Sequence, residues 1–290
     1  MRQRLVILSL ALVVCLTLSA QMHRVGVGLS AGAHTQFGDS AVTNLWGPTV
    51  GLSFRYTCLF HVGSEVWLGP QTGLEAAWTR SGWRQELSDQ FSNKDYLGHQ
   101  IDYTLSGKLD ERHDHVTVAI PIMAALRYQG VVVGLGLKAR ALLWTKHQTT
   151  ASNVDISAYY PEFDVRLAAE DCVEELPSAL EISGARKTPE WHIALAAEAG
   201  YEWKIARNQY LGALLFVDYG LWNSYSRPDD APQRSLDVTP IEKAGMMPQL
   251  VLSPIYSTII NRFHPFSVGV TITYTFDFES KTHHCNCLPY

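Results

Sequence analysis

Residues 266–278 alternate without a break. Phe266, Val268, Val270, Ile272, Tyr274, Phe276 and Phe278 occupy one register, and Ser267, Gly269, Thr271, Thr273, Thr275 and Asp277 the other. A period of two belongs to a strand with one greasy and one polar face. Soluble strands average about 5–6 residues, whereas a tilted strand crossing an outer membrane needs ~9–11. A run of this length therefore predicts a strand that meets lipid. Seven further segments carry the same pattern: 25–33, 48–56, 67–78, 115–127, 131–143, 191–202 and 211–221.

The spacing of these segments predicts how they connect. If the first runs outward, the outer connections are 34–47, 79–114, 144–190 and 222–265, and the inner ones are 57–66, 128–130 and 203–210. Long and short alternate throughout, as in bacterial barrels with long external loops and short periplasmic turns. The expected fold is all-β: a closed, up-and-down antiparallel transmembrane β-barrel of eight strands, with both termini periplasmic. A strand pair around Gln249–Ile260 would raise the count to ten, and Val165–Ile182 could hold a short helix interrupted at Pro177. Pro121 removes a ladder donor from the fourth strand, so a bulge or bend is expected there.

The N-terminus predicts the compartment. Arg2 and Arg4 precede an apolar run, Leu5 to Leu18, followed by Ser19-Ala20 and then Gln21. This is the layout of a signal peptide over residues 1–20, with a barrel over 21–278 and a periplasmic tail over 279–290. The run is too short for a spanning helix of ~20 residues, and the mean hydropathy of −0.03 does not suit a helical membrane protein. The formal charge of −5 offers nothing to a phosphate backbone, so nucleic acid is not an expected partner.

Tryptophan placement agrees with a membrane. Trp46, Trp78, Trp144, Trp191 and Trp222 fall at outer strand ends and Trp67 and Trp203 at inner ends, where indoles favour the interface; Trp83 falls in a loop. With the apolar register in lipid, the other register places Arg55, Glu75, Arg127, Lys138, Arg140, Glu198, Glu202, Asp218 and Asp277 inside. An eight-stranded barrel is only wide enough for side chains to fill, and isolated ions there cost several kcal/mol, so these groups should pair and close the lumen. A narrow path for a proton or small ion is the alternative. Inward glycines, among them Gly26, Gly28, Gly134 and Gly212, leave room for the long charged chains.

Candidate chemistry is sparse. Outside the signal peptide the cysteines are Cys58, Cys172, Cys285 and Cys287, and a bond from Cys58 to Cys285 or Cys287 would lie on the periplasmic side. His283, His284, Cys285 and Cys287 are four weak metal-ligand candidates in the tail, and Glu111, His113 and His115 could share a face at the outer rim. A catalytic set of His192 with Asp114 or Ser81 requires free choice of residues. No hydrolase, phosphate-binding or zinc-protease motif is present. No enzyme activity and no cofactor are expected.

His115–Leu143, with its central proline, short turn and glycine-containing strand, resembles the PorT-like outer-membrane β-barrel family of the Bacteroidota. Asp218-Tyr219-Gly220-Leu221-Trp222-Asn223 is similar to that family's Tyr-Gly-Leu-x-Asn, and the closing alternating strand and Ala20-Gln21 agree with it. The outer loops are longer than in the family, and a tail follows Phe278 where such barrels usually end. The resemblance implies an outer-membrane location and, for some members, a part in secretion machinery. The expected role is structural, interactive or secretion-accessory, exercised by a monomer in outer-membrane lipid in contact with other envelope or secretion proteins. A narrow channel and a lipid- or peptide-hydrolysing rim enzyme are the competing readings.

Overall fold

A computed structural model describes residues 22–37, 43–63, 65–94, 97–168, 179–186, 190–221, 236–241, 245–250 and 263–279. The strands in order are β1 (Met22–Phe37), β2 (Thr43–Leu45), β3 (Gly47–Gly63), β4 (Val66–Lys94), β5 (Gln100–Tyr128), β6 (Val131–Tyr160), β7 (Val165–Leu167), β8 (Ala179–Arg186), β9 (Glu190–Ala206), β10 (Gln209–Gly220), β11 (Leu236–Ile241), β12 (Gly245–Leu250) and β13 (His264–Glu279).

Eight of them close a ring. β4, β3, β1, β13, β10, β9, β6 and β5 pair in that order, and β5 returns to β4. Every junction is antiparallel, and each strand pairs with the ring strands before and after it in the chain. The chain is a closed eight-stranded up-and-down barrel. The ring strands contain the eight segments expected from period-two alternation, apart from Leu221, which lies just past the end of β10. β2 adds to β4, β7 and β8 add to β6, and β11 pairs only with β12, so the extra strands do not widen the ring to ten.

The tight connections lie at the end that holds Met22 and Glu279. One is Gln129–Gly130, where positive φ at both residues (47° and 89°) gives a two-residue hairpin matched to strand twist. A second is Arg207-Asn208, with Asn208 at φ 61°. The third falls at 64–65, because β3 runs on through Cys58 to Gly63 and leaves little of the expected turn.

At the opposite end the expected loops are largely strand. β4, β5 and β6 continue far beyond the segments 67–78, 115–127 and 131–143, so much of 79–114 and 144–160 is a three-stranded extension. Of Val165–Ile182, expected to hold a short helix, residues 169–178 lie outside the described residues; Val165–Leu167 and Ala179–Arg186, on either side, pair with β6.

Pro121 also departs from expectation. Its register against Lys138 of β6 is regular, and the β4–β5 register is unchanged on either side of it. The ladder to β4 only skips Gly73 and Leu74 opposite Ile120 and Pro121, which is what a missing N–H on that edge produces. The bulge lies instead where Val116 and Thr117 pair with Trp144 and Leu142.

Polarity inverts along single strands. In β5 the outward register reads Asp102, Thr104, Ser106, Lys108, Asp110, Arg112 and Asp114, then Val116, Val118, Ile120, Ile122, Ala124 and Leu126. In its inward register Ile101, Tyr103, Leu105 and Leu109 form a dry core with Ala151, Ile156 and Ala158, Glu111, His113 and His115 follow, and below the switch come Thr117, Ala119, Pro121, Met123, Ala125 and Arg127. The switch falls on one rung of three strands. Trp78, Val116 and Trp144 stand side by side below it, and Arg80, Asp114 and Lys146 above it. From Trp78 to Leu68, at about 3.3 Å per residue and a tilt of about 40°, the apolar wall is roughly 25 Å tall, like the ~25 Å band of outer-membrane barrels.

The inversion makes a position-dependent prediction. Ile122→Arg should destabilise the barrel in lipid vesicles by about 2–4 kcal/mol, whereas Ser106→Arg, in the same register of the same strand, should change stability by less than about 0.5 kcal/mol. Urea unfolding of the two variants in one lipid distinguishes a wall that changes solvent from one that does not.

Candidate functional site

The inward register of the ring collects ten ionised groups into three tiers. At the turn end, Arg24 of β1 bonds Asp277 of β13 (2.6 Å) and Glu202 of β9 (2.8 Å), with Arg127 of β5 at 3.4 and 3.7 Å from the same two carboxylates. The Tyr210 ring lies against both guanidinium groups, 4.4 Å from Arg127 and 5.4 Å from Arg24.

In the middle, one nitrogen of Arg55 meets both oxygens of Glu198 (2.9 and 2.8 Å), and the Gln71 amide donates to the same carboxylate at 2.8 Å. Nearest the mouth, Lys138 sits between Glu75 (2.8 Å) and Asp218 (3.1 Å), and Arg140 completes the set on Asp218 at 2.8 Å.

All nine charges expected in the lumen are there. The tenth, Arg24, is missing from the expected set because the first strand was bounded at residue 25. Its signal was present, since Arg24 continues the inward register of Gly26 and Gly28. With Arg24 included, five cations meet five anions in these three tiers; the carboxylates of Glu111 and Glu190 lie inside further toward the mouth. The glycines face the long chains as expected: Gly26 is opposite Arg55, and a Cβ on Gly134 would come within 2.8 Å of the Glu198 side chain.

Between these tiers lie separate small cavities. One of about 40 Å³ is bordered by Arg55, Glu75, Lys138 and Asp218, and another of about 30 Å³ by Arg24, Gln71, Arg127 and Glu202. A third, about 20 Å³, lies under the mouth beside His34, His115, Arg140 and His192. Such volumes hold a few waters each rather than a continuous aqueous path.

Above the ion pairs the interior turns to imidazole. His34 shares a hydrogen bond with Ser267 (2.8 Å), and the Gln36 amide donates to His115 Nε2 (2.8 Å), so the ring proton of His115 sits on Nδ1, facing Thr145 at 3.4 Å. His113 contacts Glu111 at 2.5 Å, and Glu111 accepts from Thr149 at 2.7 Å. Trp83 is not in a loop: it is wholly buried on β4, stacked on His113 (4.5 Å) and against Phe263 (4.9 Å).

Burial, followed by the nearby His113, His34 and His192, pushes the His115 pKa well below the ordinary value of 6.5. Burial likewise lowers His147, against the opposing pull of Glu111.

Glu111, His113 and His115 do share the inward face, yet among the described residues no three His, Cys, Asp or Glu groups are placed to hold a metal ion. Their donors already serve Thr149, Gln36 and Thr145. The rim set also falls apart: Asp114 points outward to Arg80 (2.8 Å), while His192 and Ser81 are buried inside. Cys58 is a buried free thiol on β3 rather than in a turn. Cys285, Cys287, His283 and His284 lie outside the described residues, as do Trp222, Cys172 and the expected signal peptide. Trp46, Trp191 and Trp203 are exposed on the outer wall and Trp78 and Trp144 are half-buried there, whereas Trp67, expected at the inner interface, falls in the inward register of β4 opposite Arg127, with its ring against His61.

No family model matches the chain, and no curated protein matches it. Among solved structures it is similar to Ail, the attachment invasion locus protein of Yersinia pestis, at 10% identity and a TM-score of 0.30, over 88% of this chain and 99% of that one. It is also similar to the outer membrane protease OmpT from Escherichia coli, at 8% identity and a TM-score of 0.28, over 89% and 96% of the two chains. The translocator domain of the autotransporter NalP from Neisseria meningitidis follows at 8% and 0.21, over 89% and 88%. Likenesses this distant assign neither a family nor an activity; the barrel rests on its own ring of strands.

Arg24→Met removes the partner of two buried carboxylates and should cost about 3–5 kcal/mol in urea unfolding. Acid should act separately at the mouth. A lowered imidazole pKa contributes stability that is complete above about pH 6.5 and is lost as pH falls toward the folded value, by at most ~1.4 kcal/mol per pH unit. Protection factors of the β5 amides near His115, taken relative to intrinsic exchange at each pH, should therefore fall between pH 7 and 5, and His115→Gln should flatten that fall.

Proposed function

We propose that this chain is an integral outer-membrane barrel with both termini on the periplasmic side and a lumen closed by ion pairs. It acts as a structural, interaction or secretion-accessory protein. The observation that carries this reading is the change along the outward register of β5, from charged and polar residues through Asp114 to wholly apolar ones from Val116 onward. A water-soluble barrel has no use for an apolar exterior about as tall as a bilayer core.

The tiers of buried ion pairs support a closed barrel over a channel, because the cavities beside them are small. The projecting β4–β6 extension, with a dry core of its own, provides an external surface for recognition. The resemblance to PorT-like proteins favours a secretion-accessory role, with other envelope or secretion proteins as partners and the barrel itself a monomer.

Two measurements test this reading. Cross-linking in native outer membranes, followed by identification of adducts to the 79–160 extension, should recover envelope proteins; adducts only with itself would refute the interaction role. In planar bilayers neither the wild type nor Arg140→Leu should conduct, although the variant should be less stable. Large single-channel currents from a stably folded Arg140→Leu barrel would overturn the closed lumen.

A further inference from the structure

The wall that leaves the apolar belt is charged on one side of the barrel. On β4, β5 and β6, the outward residues directly above Trp78 and Trp144 are Arg80, Asp114 and Lys146, aligned on one rung, with Arg112 one outward position higher on β5. Three cations thus surround a single carboxylate. Asp114 is engaged by Arg80 through both oxygens (2.8 and 3.2 Å), and among the described residues Arg112 and Lys146 form no ion pair. Both side chains are exposed.

The opposite wall ends differently. There Phe37, Trp46 and Phe266 cluster at ring distances of 5.5–6.4 Å. Two surplus positive charges therefore sit on one face on successive outward positions, immediately outside an apolar belt rimmed by indoles. Aqueous charge would be equally well placed anywhere on the extension; at this height the neighbouring groups are lipid headgroups.

We propose that Arg112 and Lys146, with Arg80 beside them, form a binding site for the phosphate of an anionic outer-leaflet lipid. This rests on the membrane reading above. The lipid's acyl chains would lie along Val116, Val118 and the Trp144 side of the wall while its phosphate meets the two free cations. Arg112 presents a planar fork suited to two phosphate oxygens, and Lys146 adds a flexible point charge that reaches a headgroup from the rung below. Asp114 already holds Arg80, so it orients the cluster without cancelling it. A cation near an anionic bilayer surface contributes about a fivefold gain in affinity, so losing two should cost roughly tenfold or more.

The test uses the full chain folded in phosphatidylcholine nanodiscs doped with bisphosphorylated or chemically dephosphorylated lipid A, with bound lipid read by native mass spectrometry. The wild type should retain the phosphorylated lipid preferentially, and Arg112→Gln/Lys146→Gln should lose that preference at least about tenfold. Lys204→Gln, at the turn end, should keep it.

Quenching of tryptophan fluorescence by brominated acyl chains reports insertion independently and confirms that the variants are folded. If the indoles are not quenched, the membrane reading fails and the site with it. Normal quenching with no preference for phosphorylated lipid in the wild type, or with the preference intact in the double variant, overturns the site alone. Competition by millimolar inorganic phosphate that displaces the lipid completely would show a free-phosphate site and overturn the lipid assignment.

Discussion

The ladder between β1 and β13 joins the first ring strand to the last, sixteen residues paired without a register shift from Met22 with Glu279 to Phe37 with His264. It removes the two edges that a seven-junction sheet would leave. In hydrocarbon an unpaired backbone group costs several kcal/mol, so an open sheet of these strands could not sit with its apolar face in lipid. Closure also divides every strand into an inside and an outside. Once β1 and β13 are in register, the period of two assigns each side chain to one compartment, and a slip of one residue would put Arg24, Asp218 and Asp277 into the apolar wall.

The interior then has little freedom. Eight strands leave a bore that side chains fill, so the ten inward charges must satisfy one another. They do so between strands distant in sequence: Arg24 with Glu202, Arg55 with Glu198, and Lys138 with Asp218. The pairs join nonadjacent staves of the barrel and act as internal struts. Leaving one ion of such a pair unpartnered is more costly than never having the pair, so the tiers favour one arrangement of the ring over its neighbours.

The three longest strands add a second environment. β4, β5 and β6 rise past the indole rung, above which charge turns outward and Leu105, Leu109 and Ile156 lie inward. Buried imidazoles mark the transition, between the ionic lumen and the apolar core of the extension. Neutral His115, bonded to Gln36 and Thr145, suits a layer that is dry but still polar. The cationic rung on the outer wall occupies the same level.

Much of this was legible from residue order because alternation is local. The eight segments, the side on which the tight turns fall, the inward register of nine charges and the small residues opposite them follow from period and spacing alone. What escaped depended on partners elsewhere. Arg24 looked like a flanking residue until β13 supplied Asp277. The 79–114 and 144–160 regions looked like loops because their apolar residues face inward above the belt, reversing the pattern that marks a lipid-facing strand. Trp83 looked like a loop aromatic because its stacking partner His113 lies across the ladder on β5. Pro121 suggested a bulge, but the ring kept its register and surrendered only bonds to β4.

The amino-acid order by itself determined that eight strands alternate and which face of each is greasy, since both are properties of a strand and its side chains. Tertiary structure alone decided that five positive and five negative groups meet in three tiers, that the outward polarity switch on three strands falls on one rung, and that Arg112 and Lys146 stand beside the indoles with no ion pair among the described residues. Those facts concern distances between strands, and such distances exist only once the ring is closed.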